Sequence, residues 1–207
     1  EGHDGALERR YLIVPGLRDR VDDHWQTLLA KQLAATGRRV RTVAPLGRDD
    51  LRCCPRVEAL EEEAQLIDGP LIIVAHSGGV ITVAHWAHRT HRLVAGAVLA
   101  VPPDFECPMP DGYPTLGQLS SHHWLPIPRE RLPFFSIVAA SRNDPLARFD
   151  RVKGLARAWG SRLVDLGNVG HLNPASGFGE WPRAEQLIDE LCLTNVVASR
   201  AASVTYA

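Results

Sequence analysis

The amino-acid sequence predicts an α/β fold, in which a doubly wound, mostly parallel sheet of about six strands forms the middle of three layers. Short apolar runs alternate with helical patterns along the whole chain. The strongest strand signal, at 71–75, is apolar at every position, as is typical of a central strand covered on both faces. The chain has 207 residues, of which 45% are hydrophobic, enough for a core of its own. We therefore expect one domain over 1–207 with its core at about 11–193.

The first half of the chain supplies three strands. Proline or glycine follows the first two strands and the first two helices, and Asp22 and Asp23 are available to cap the first helix. Only the turn 76–79 separates the run at 71–75 from the helical segment after it. The elements predicted here are strand 11–14, helix 24–35, strand 39–44, helix 55–67, strand 71–75 and helix 80–86.

The second half continues the alternation around one irregular segment. Eight prolines lie between Pro102 and Pro133, which argues against a regular element over 102–133. We expect this segment to shape a pocket, and we expect the tails 1–10 and 194–207 to be flexible. The elements predicted here are strand 94–101, strand 134–140, helix 145–159, strand 162–166 and helix 181–193.

Charge and cysteine content bear on partners and location. The 23 Lys and Arg nearly balance the 24 Asp and Glu, without the basic stripe that is typical of nucleic-acid binding. No apolar run approaches the roughly 20 residues that span a bilayer. The four cysteines form no C-x-x-C pair and are typical of reduced thiols. We expect a cytoplasmic protein that binds neither nucleic acid nor membrane; its oligomeric state is left open.

The turn after the apolar run at 71–75 has the pattern of a nucleophile elbow. It reads Ala-His-Ser-Gly-Gly at 75–79, directly between a strand and a helix. An elbow places its serine on a strained turn, so the residues two before and two after it must be small, and Ala75 and Gly79 meet that requirement. Ser77 is therefore the predicted nucleophile. The alternative is a small-residue helix start with a structural role alone.

A serine hydroxyl needs a base in contact with it and a third group that orients the base. On a sheet of this kind the acid and then the histidine follow the serine at the ends of later strands. Asp144 lies just past the fifth predicted strand and His171 follows the sixth. We expect these two residues to complete a triad, with Asp150 and Asp165 as alternative acids. Asp144 also suits the cap of the helix predicted after it.

Acyl transfer also requires hydrogen-bond donors for the oxyanion. The Gly78 amide follows the serine at a helix N-terminus, and the Leu17 amide follows the Pro-Gly turn after the first strand. We expect these two amides to form the oxyanion hole, with Arg18 as the alternative to Leu17.

Four further side chains are candidates for the substrate pocket. His24 and Trp25 open the first helix at the same sheet edge, although a capping histidine beside a packed tryptophan explains them equally well. His76 precedes the serine. Trp124 belongs to the Pro-rich segment 102–133, where a single aromatic residue serves packing as often as recognition.

Metal and nucleotide cofactors are not expected. His85, His88 and His91 are three apart on one predicted helix, a spacing that drifts around the helix, and a second pair lies at 122–123. No carboxylate or cysteine completes a site at ligand spacing, so surface histidines are the preferred interpretation. The chain contains neither a G-x-G-x-x-G motif nor a P-loop.

Taken together, these motifs resemble the small serine hydrolases of the α/β-hydrolase fold typified by retinoblastoma-binding protein nine and bacterial YdeN. The resemblance covers about 11–193 and implies a compact fold without a large lid, with Ser77, Asp144 and His171 as nucleophile, acid and base. Ala75 departs from the glycine usual in the family, and the Pro-rich segment is also unusual. The segments that carry the resemblance are Pro15-Gly16, His24-Trp25, 76–79, 143–145, 170–173 and 177–182.

The residues and the resemblance thus predict a serine hydrolase without a cofactor that acts on a small-molecule carboxylic ester, with thioesters and amides left open as substrates. Two alternatives use the same fold. One is a non-catalytic interaction module, since a fold alone does not determine a function. The other is the same triad applied to a haloperoxidase or lyase reaction.

Overall fold

A computed structural model describes residues 9–18 and 21–205 as a six-stranded sheet with helices on both faces. The predicted N-terminal tail lies outside the described residues at 1–8, and the sheet begins at Arg10. The strands are β1 Arg10–Val14, β2 Arg39–Thr42, β3 Leu71–His76, β4 Val94–Ala100, β5 Ser136–Ala140 and β6 Arg162–Asp165. The helices are α1 Trp25–Ala35, α2 Cys53–Gln65, α3 Gly78–Trp86, α4 Leu116–Ser121, α5 Phe149–Trp159 and α6 Arg183–Thr205, with a 3₁₀ turn at Pro174–Ser176.

All strand pairs are parallel, in the order β2-β1-β3-β4-β5-β6. This confirms the predicted fold class. The order reverses direction between β1 and β3, which are hydrogen-bonded neighbours. In open α/β sheets the crevice at such a reversal, beyond the carboxyl ends of the strands, is where ligands bind. The loops after β1 and β3 meet there.

Two apolar layers cover the sheet, one on each face. Alternate residues of a strand point to opposite faces, so Leu71, Ile73 and Ala75 of β3 join the layer under α2, α3 and α5. Ile72 and Val74 join the layer under α1 and α6. Every residue of β3 is buried, which explains its continuous apolar run.

Several predicted boundaries are wrong for identifiable reasons. The N-terminal cap of α1 is His24 and not Asp22 or Asp23. The His24 ring accepts from the backbone N–H of Gln26. The next helix after Asp144 begins only at Phe149. The Asp144 carboxylate instead accepts from the Leu146 amide in a turn.

Two further corrections concern regions predicted to be irregular. The Pro-rich segment contains α4, which begins with a Thr115–Gln118 capping box. The Thr-x-x-Gln pattern is a recognisable signal for that start. The tail predicted to be flexible from residue 194 continues α6 to Thr205, because the chain there contains no glycine or proline to end the helix.

Within 9–18 and 21–205, no helix is both long and apolar enough to cross a bilayer. The four cysteines are all free thiols, and Cys53 is buried while Cys54 and Cys107 are exposed. This agrees with the sequence-based interpretation of reduced thiols.

Candidate active site

Ser77 lies on the tight turn between β3 and α3, where the chain reverses sharply. Its backbone has φ 57° and ψ −127°, a region that residues other than glycine rarely adopt. Such strain costs on the order of 1–3 kcal/mol and persists only where the surrounding structure imposes it. The buried strand β3 and the first turn of α3 impose it here, since the Ser77 N–H donates to Ala100 and its carbonyl accepts from Val80.

Small residues around Ser77 allow the turn to pack closely. A Cβ on Gly79 would lie 2.5 Å from the carbonyl oxygens of both Val14 and Pro15, so β1 leaves room for glycine alone. Ala75 is fully buried at the end of β3 and its methyl group fits there. The alanine that departs from the elbow pattern is therefore compatible with the geometry of an elbow.

The three residues predicted as a triad converge at the carboxyl edge of the sheet. His171 Nε2 lies 2.6 Å from Ser77 Oγ. On the other side of the ring, His171 Nδ1 lies 3.0 Å from both carboxylate oxygens of Asp144. The His171 and Asp144 side chains are only 8% and 2% exposed. Because the carboxylate faces Nδ1, it favours the tautomer that leaves Nε2 free to accept the serine proton.

The alternative acids lie elsewhere. Asp165 is exposed, pairs with Arg142 and accepts from the Gly167 amide, which lowers the pKa of its carboxyl group. Asp150 is also exposed and pairs with Arg148. Neither carboxylate contacts His171 among the described residues, so the geometry favours Asp144.

The backbone of the His171 loop is held by one side chain of the same loop and by side chains from three other segments. Ser176 Oγ accepts from the His171 N–H at 3.1 Å, and Asn143 Oδ1 accepts from the Gly170 N–H at 2.7 Å. His76 Nε2 donates to the His171 carbonyl at 2.9 Å, and Trp25 Nε1 donates to the Leu172 carbonyl at 3.1 Å. Roles for Asn143 and Ser176 were not predicted from the sequence, although Asn143 lies inside a segment that carries the family resemblance and Ser176 lies between two such segments.

The two predicted oxyanion donors lie beside the serine. Gly78 opens α3, so its N–H belongs to the first turn, which has no intrahelical acceptor. A Cβ on Gly16 would lie 3.4 Å from Ser77 Cβ and 3.8 Å from Gly78 N, so the loop carrying Leu17 packs directly on the elbow. No described residue accepts from the Leu17 N–H. Arg56, buried beneath this loop, donates to the Leu17 carbonyl at 3.4 Å.

The side chain of Arg18, the alternative to Leu17, contacts the Pro-rich segment. Its guanidinium stacks over the Tyr113 ring at 4.2 Å and donates to the Gly112 carbonyl at 3.4 Å. The loop after β1 therefore contacts the Pro-rich segment across the mouth of the crevice.

A cavity of about 520 Å³ opens at Ser77 and His171. One part of its wall comes from α1 and the end of β2, and another from the Pro-rich segment. The lining residues of these two parts are His24, Gln26, Thr27, Ala30 and Thr42, and Pro103, Phe105, Met109, Tyr113 and Pro114.

Two of the four pocket candidates do not reach this cavity. Trp124 is fully buried in the other layer, where it packs on Phe105 and donates to the Leu51 carbonyl. Trp25 is buried between His76 and Trp181 and supports the His171 loop from behind. The prediction that these tryptophans line the pocket is wrong, because their large apolar rings are buried in the core.

His24 and His76 do line the cavity, and both are held neutral. Burial, reinforced by the neighbouring His171, lowers the pKa of His24 to about 4. Complete burial lowers the pKa of His76 well below its ordinary value, with His171 and His24 adding to the effect. The His24 and His76 rings lie edge to face with centroids 4.6 Å apart. The two imidazoles beside His171 are therefore uncharged at neutral pH.

Two of the histidines considered for a metal site make other contacts. His85 lies 3.0 Å from the Trp124 carbonyl, and His88 lies 3.7 Å from Glu130. Among the described residues no group of three or more histidine, cysteine, aspartate or glutamate side chains could hold a metal ion.

Six parallel strands, a strained serine after the central strand, and an acid and a histidine after the last two strands define the α/β-hydrolase fold. The profile of the serine hydrolase family matches residues 11–190. The chain thus belongs to the serine hydrolase family and is a hydrolase.

Solved structures support the same assignment. A YdeN-like hydrolase from Pectobacterium atrosepticum is 25% identical, with a TM-score of 0.76 over 91% of this chain and 93% of that one. The ydeN gene product of Bacillus subtilis is 19% identical, with a TM-score of 0.70 over 88% and 98%. Est1E from Butyrivibrio proteoclasticus is 11% identical and shares the fold, with a TM-score of 0.65 over 91% and 89%. These structures confirm the resemblance to YdeN-type hydrolases. No curated protein sequence matches the chain significantly.

Proposed function

We propose that this protein hydrolyses small carboxylic esters through an acyl-enzyme formed on Ser77. The observation that carries the proposal is the continuous contact from Asp144 through the His171 ring to Ser77 Oγ, at 3.0 and 2.6 Å. Those distances lie within the hydrogen-bond reach that proton transfer requires. The chemistry needs no cofactor.

The reaction divides into acylation and deacylation. Ser77 Oγ attacks the ester carbonyl while its proton moves to His171 Nε2, and the amides of Leu17 and Gly78 stabilise the oxyanion. The C–O bond to the alcohol then breaks, and His171 returns the proton to the departing alkoxide. Water repeats the attack on the acyl-enzyme with His171 again as base, so that the acid product leaves and Ser77 regains its proton.

A fluorophosphonate probe tests the nucleophile directly, because it phosphonylates an activated serine. We expect intact mass and peptide mapping to place one adduct on Ser77. Ser77→Ala should abolish labelling and His171→Ala should slow it strongly. Ser121→Ala, which changes an exposed serine on α4, should label like the wild type. A folded wild-type protein that takes no label at Ser77 would overturn the proposal.

Bond type is tested by product analysis on matched substrates. We expect p-nitrophenyl butanoate to yield butanoate and p-nitrophenol, with Ser77→Ala slower by about four orders of magnitude or more. The corresponding thioester and anilide are measured alongside. The order ester, thioester, anilide in kcat/KM is the expected outcome, and faster turnover of the anilide than of the ester would contradict an ester specificity.

A further inference from the structure

Two polar atoms in the cavity wall, one a donor and one an acceptor, have no hydrogen-bond partner within residues 9–18 and 21–205. They belong to His24 and Gln26, in the N-terminal turn of α1, and both residues line the cavity that opens at Ser77. The triad does not use either atom. Their chemistry follows from the hydrogen bonds that the rest of each side chain makes.

The donor is the N–H at Nε2 of His24. The other ring nitrogen, Nδ1, accepts from the Gln26 backbone N–H at 3.1 Å as the cap of α1, so Nδ1 carries no proton. In a neutral imidazole the proton must then be on Nε2. No described residue accepts from Nε2, and this atom is not among the buried unpartnered polar atoms, so it is open to the cavity.

The acceptor is Oε1 of Gln26. This side chain is 4% exposed, and its Nε2 donates to the Val14 carbonyl at 3.1 Å and to the Val74 carbonyl at 3.2 Å. Two carbonyl oxygens require the amide NH₂ group between them, which determines the orientation of the amide. Both N–H donors are used, whereas Oε1 is not completely inaccessible and accepts from no described residue.

We propose that His24 Nε2–H and Gln26 Oε1 bind a secondary amide group of the substrate, the histidine donating to its C=O and the glutamine accepting from its N–H. An amide offers this combination of acceptor and donor on adjacent atoms, whereas an apolar chain would leave both protein atoms unpaired once water is excluded. The substrate class is therefore an ester with a secondary amide in its acyl or alcohol part. This inference rests on the proposed ester hydrolysis at Ser77.

Matched substrates separate the two hydrogen bonds. Four p-nitrophenyl esters have acyl chains of equal length: 4-acetamidobutanoate, its N-methyl derivative, 6-oxoheptanoate and heptanoate. The first offers C=O and N–H, the second and third offer only C=O, and the last offers neither. We expect kcat/KM of the wild type to fall in that order, by about five- to tenfold for each hydrogen bond lost. Chains one methylene shorter and longer, and a second pair of 2-acetamidoethyl and pentyl butanoates, cover the other positions of the amide.

His24→Ser isolates the donor, because serine still caps the helix but is too short to reach the cavity. We expect the ratio of kcat/KM for the acetamidobutanoate and heptanoate esters to fall about five- to tenfold in this variant. His91→Ser changes an exposed histidine and should retain the wild-type ratio. Comparing ratios between variants cancels the intrinsic reactivity of each ester.

Fluorophosphonate labelling of Ser77 in the same preparations distinguishes failure of the proposed ester hydrolysis from failure of the amide-binding inference alone. Absence of labelling in the folded wild type would overturn the proposed function itself. Labelling together with equal kcat/KM for amide and apolar esters in every series would overturn this inference alone. A preference for the amide that persists unchanged in His24→Ser would also overturn it.

Discussion

Three histidines meet at the candidate active site, and hydrogen bonding determines the tautomer of two of them. His76 must carry a proton on Nε2, because that nitrogen faces the His171 carbonyl. His24 must lack a proton on Nδ1, because that nitrogen accepts from a backbone amide. Only His171 is placed between a carboxylate and a serine hydroxyl. His76 therefore holds the His171 backbone, and neither His24 nor His76 lies in the line of contacts from Asp144 to Ser77.

The neutral state of His24 predicts a pH dependence of stability. The pKa of His24 is about 4 in the folded protein, against about 6.5 for an ordinary histidine. Between these values the unfolded chain binds more protons, so the free energy of unfolding falls as the pH decreases. We expect the wild type to lose about 1–2 kcal/mol more than His24→Asn between pH 7 and pH 5, because asparagine keeps the cap but does not titrate.

Urea unfolding at the two pH values measures this difference. Only the change in free energy of unfolding with pH is compared, so a constant offset of the variant at both pH values does not matter. If the free energy of unfolding fell equally with pH in the wild type and in His24→Asn, His24 could not be neutral in the folded protein.

The choice of acid is a second prediction at the residue scale. Asparagine at position 144 keeps the shape of the side chain, but it presents an amide to His171 Nδ1 and can stabilise the wrong tautomer. We expect Asp144→Asn to lower kcat by about three to four orders of magnitude with little change in KM. Asp150→Asn and Asp165→Asn should keep wild-type kcat, and a large loss in either would reassign the acid.

At the scale of elements, the elbow depends on how closely β1 approaches α3. A methyl group on Gly79 would meet two backbone carbonyl oxygens at 2.5 Å, and backbone cannot move aside as a flexible side chain can. We expect Gly79→Ala to lower the free energy of unfolding by roughly 2–3 kcal/mol. The substitution should also slow labelling of Ser77, because relief of the clash must shift the turn.

Gly154 provides the matched control. It lies in α5 with no atom within 4 Å of an added Cβ, and it is exposed. Alanine there restricts the unfolded chain and favours the helix, so Gly154→Ala should raise the free energy of unfolding by about 0.5–1 kcal/mol. Thermal and urea unfolding of both variants provide the measurements, and destabilisation by both to the same extent would contradict the role of the close approach at Gly79.

Elements with strong local patterns were predictable from the sequence. The run at 71–75 was predicted as a strand buried on both faces and forms β3. Ser77 lies on the turn between β3 and α3, where the sequence pattern predicted it. The order of residues along the chain was enough to predict Asp144 and His171 as partners of Ser77, although His171 lies 94 positions after Ser77. The predicted start of α5 was wrong because Asp144 and Pro145 also have the pattern of a helix start. The contact that decided the outcome, between Asp144 and His171, is not local.

At the scale of the whole molecule, the Pro-rich segment is where sequence reasoning was weakest. Its residues contribute to two different environments. Pro103 and Tyr113 line the cavity, whereas Trp124, Ile127 and Leu132 are buried in the apolar layer under α2, α3 and α5. Prolines and single aromatics carry no periodicity, so nothing in the sequence separates these two sets. The segment is thus an integral part of the core as well as a wall of the cavity.

This division predicts that Trp124 contributes to stability and not to catalysis. Its ring is fully buried, packs on Phe105 and donates to the Leu51 carbonyl, which joins the Pro-rich segment to the loop before α2. Trp124→Phe removes ring volume and leaves that carbonyl without its donor. We expect the free energy of unfolding to fall by about 2–3 kcal/mol while kcat/KM on p-nitrophenyl butanoate stays within twofold.

Tyr113 is the matched position in the same segment. It lines the cavity and stacks against Arg18, so Tyr113→Leu alters the wall that faces the substrate without opening a hole in the core. We expect Tyr113→Leu to change kcat/KM by about fivefold or more, with a change in the free energy of unfolding below about 1 kcal/mol. Urea unfolding and ester hydrolysis, measured on both variants, give opposite patterns if the segment is divided in this way. If Trp124→Phe instead lowered kcat/KM while stability held, Trp124 would belong to the pocket after all, as the sequence had predicted.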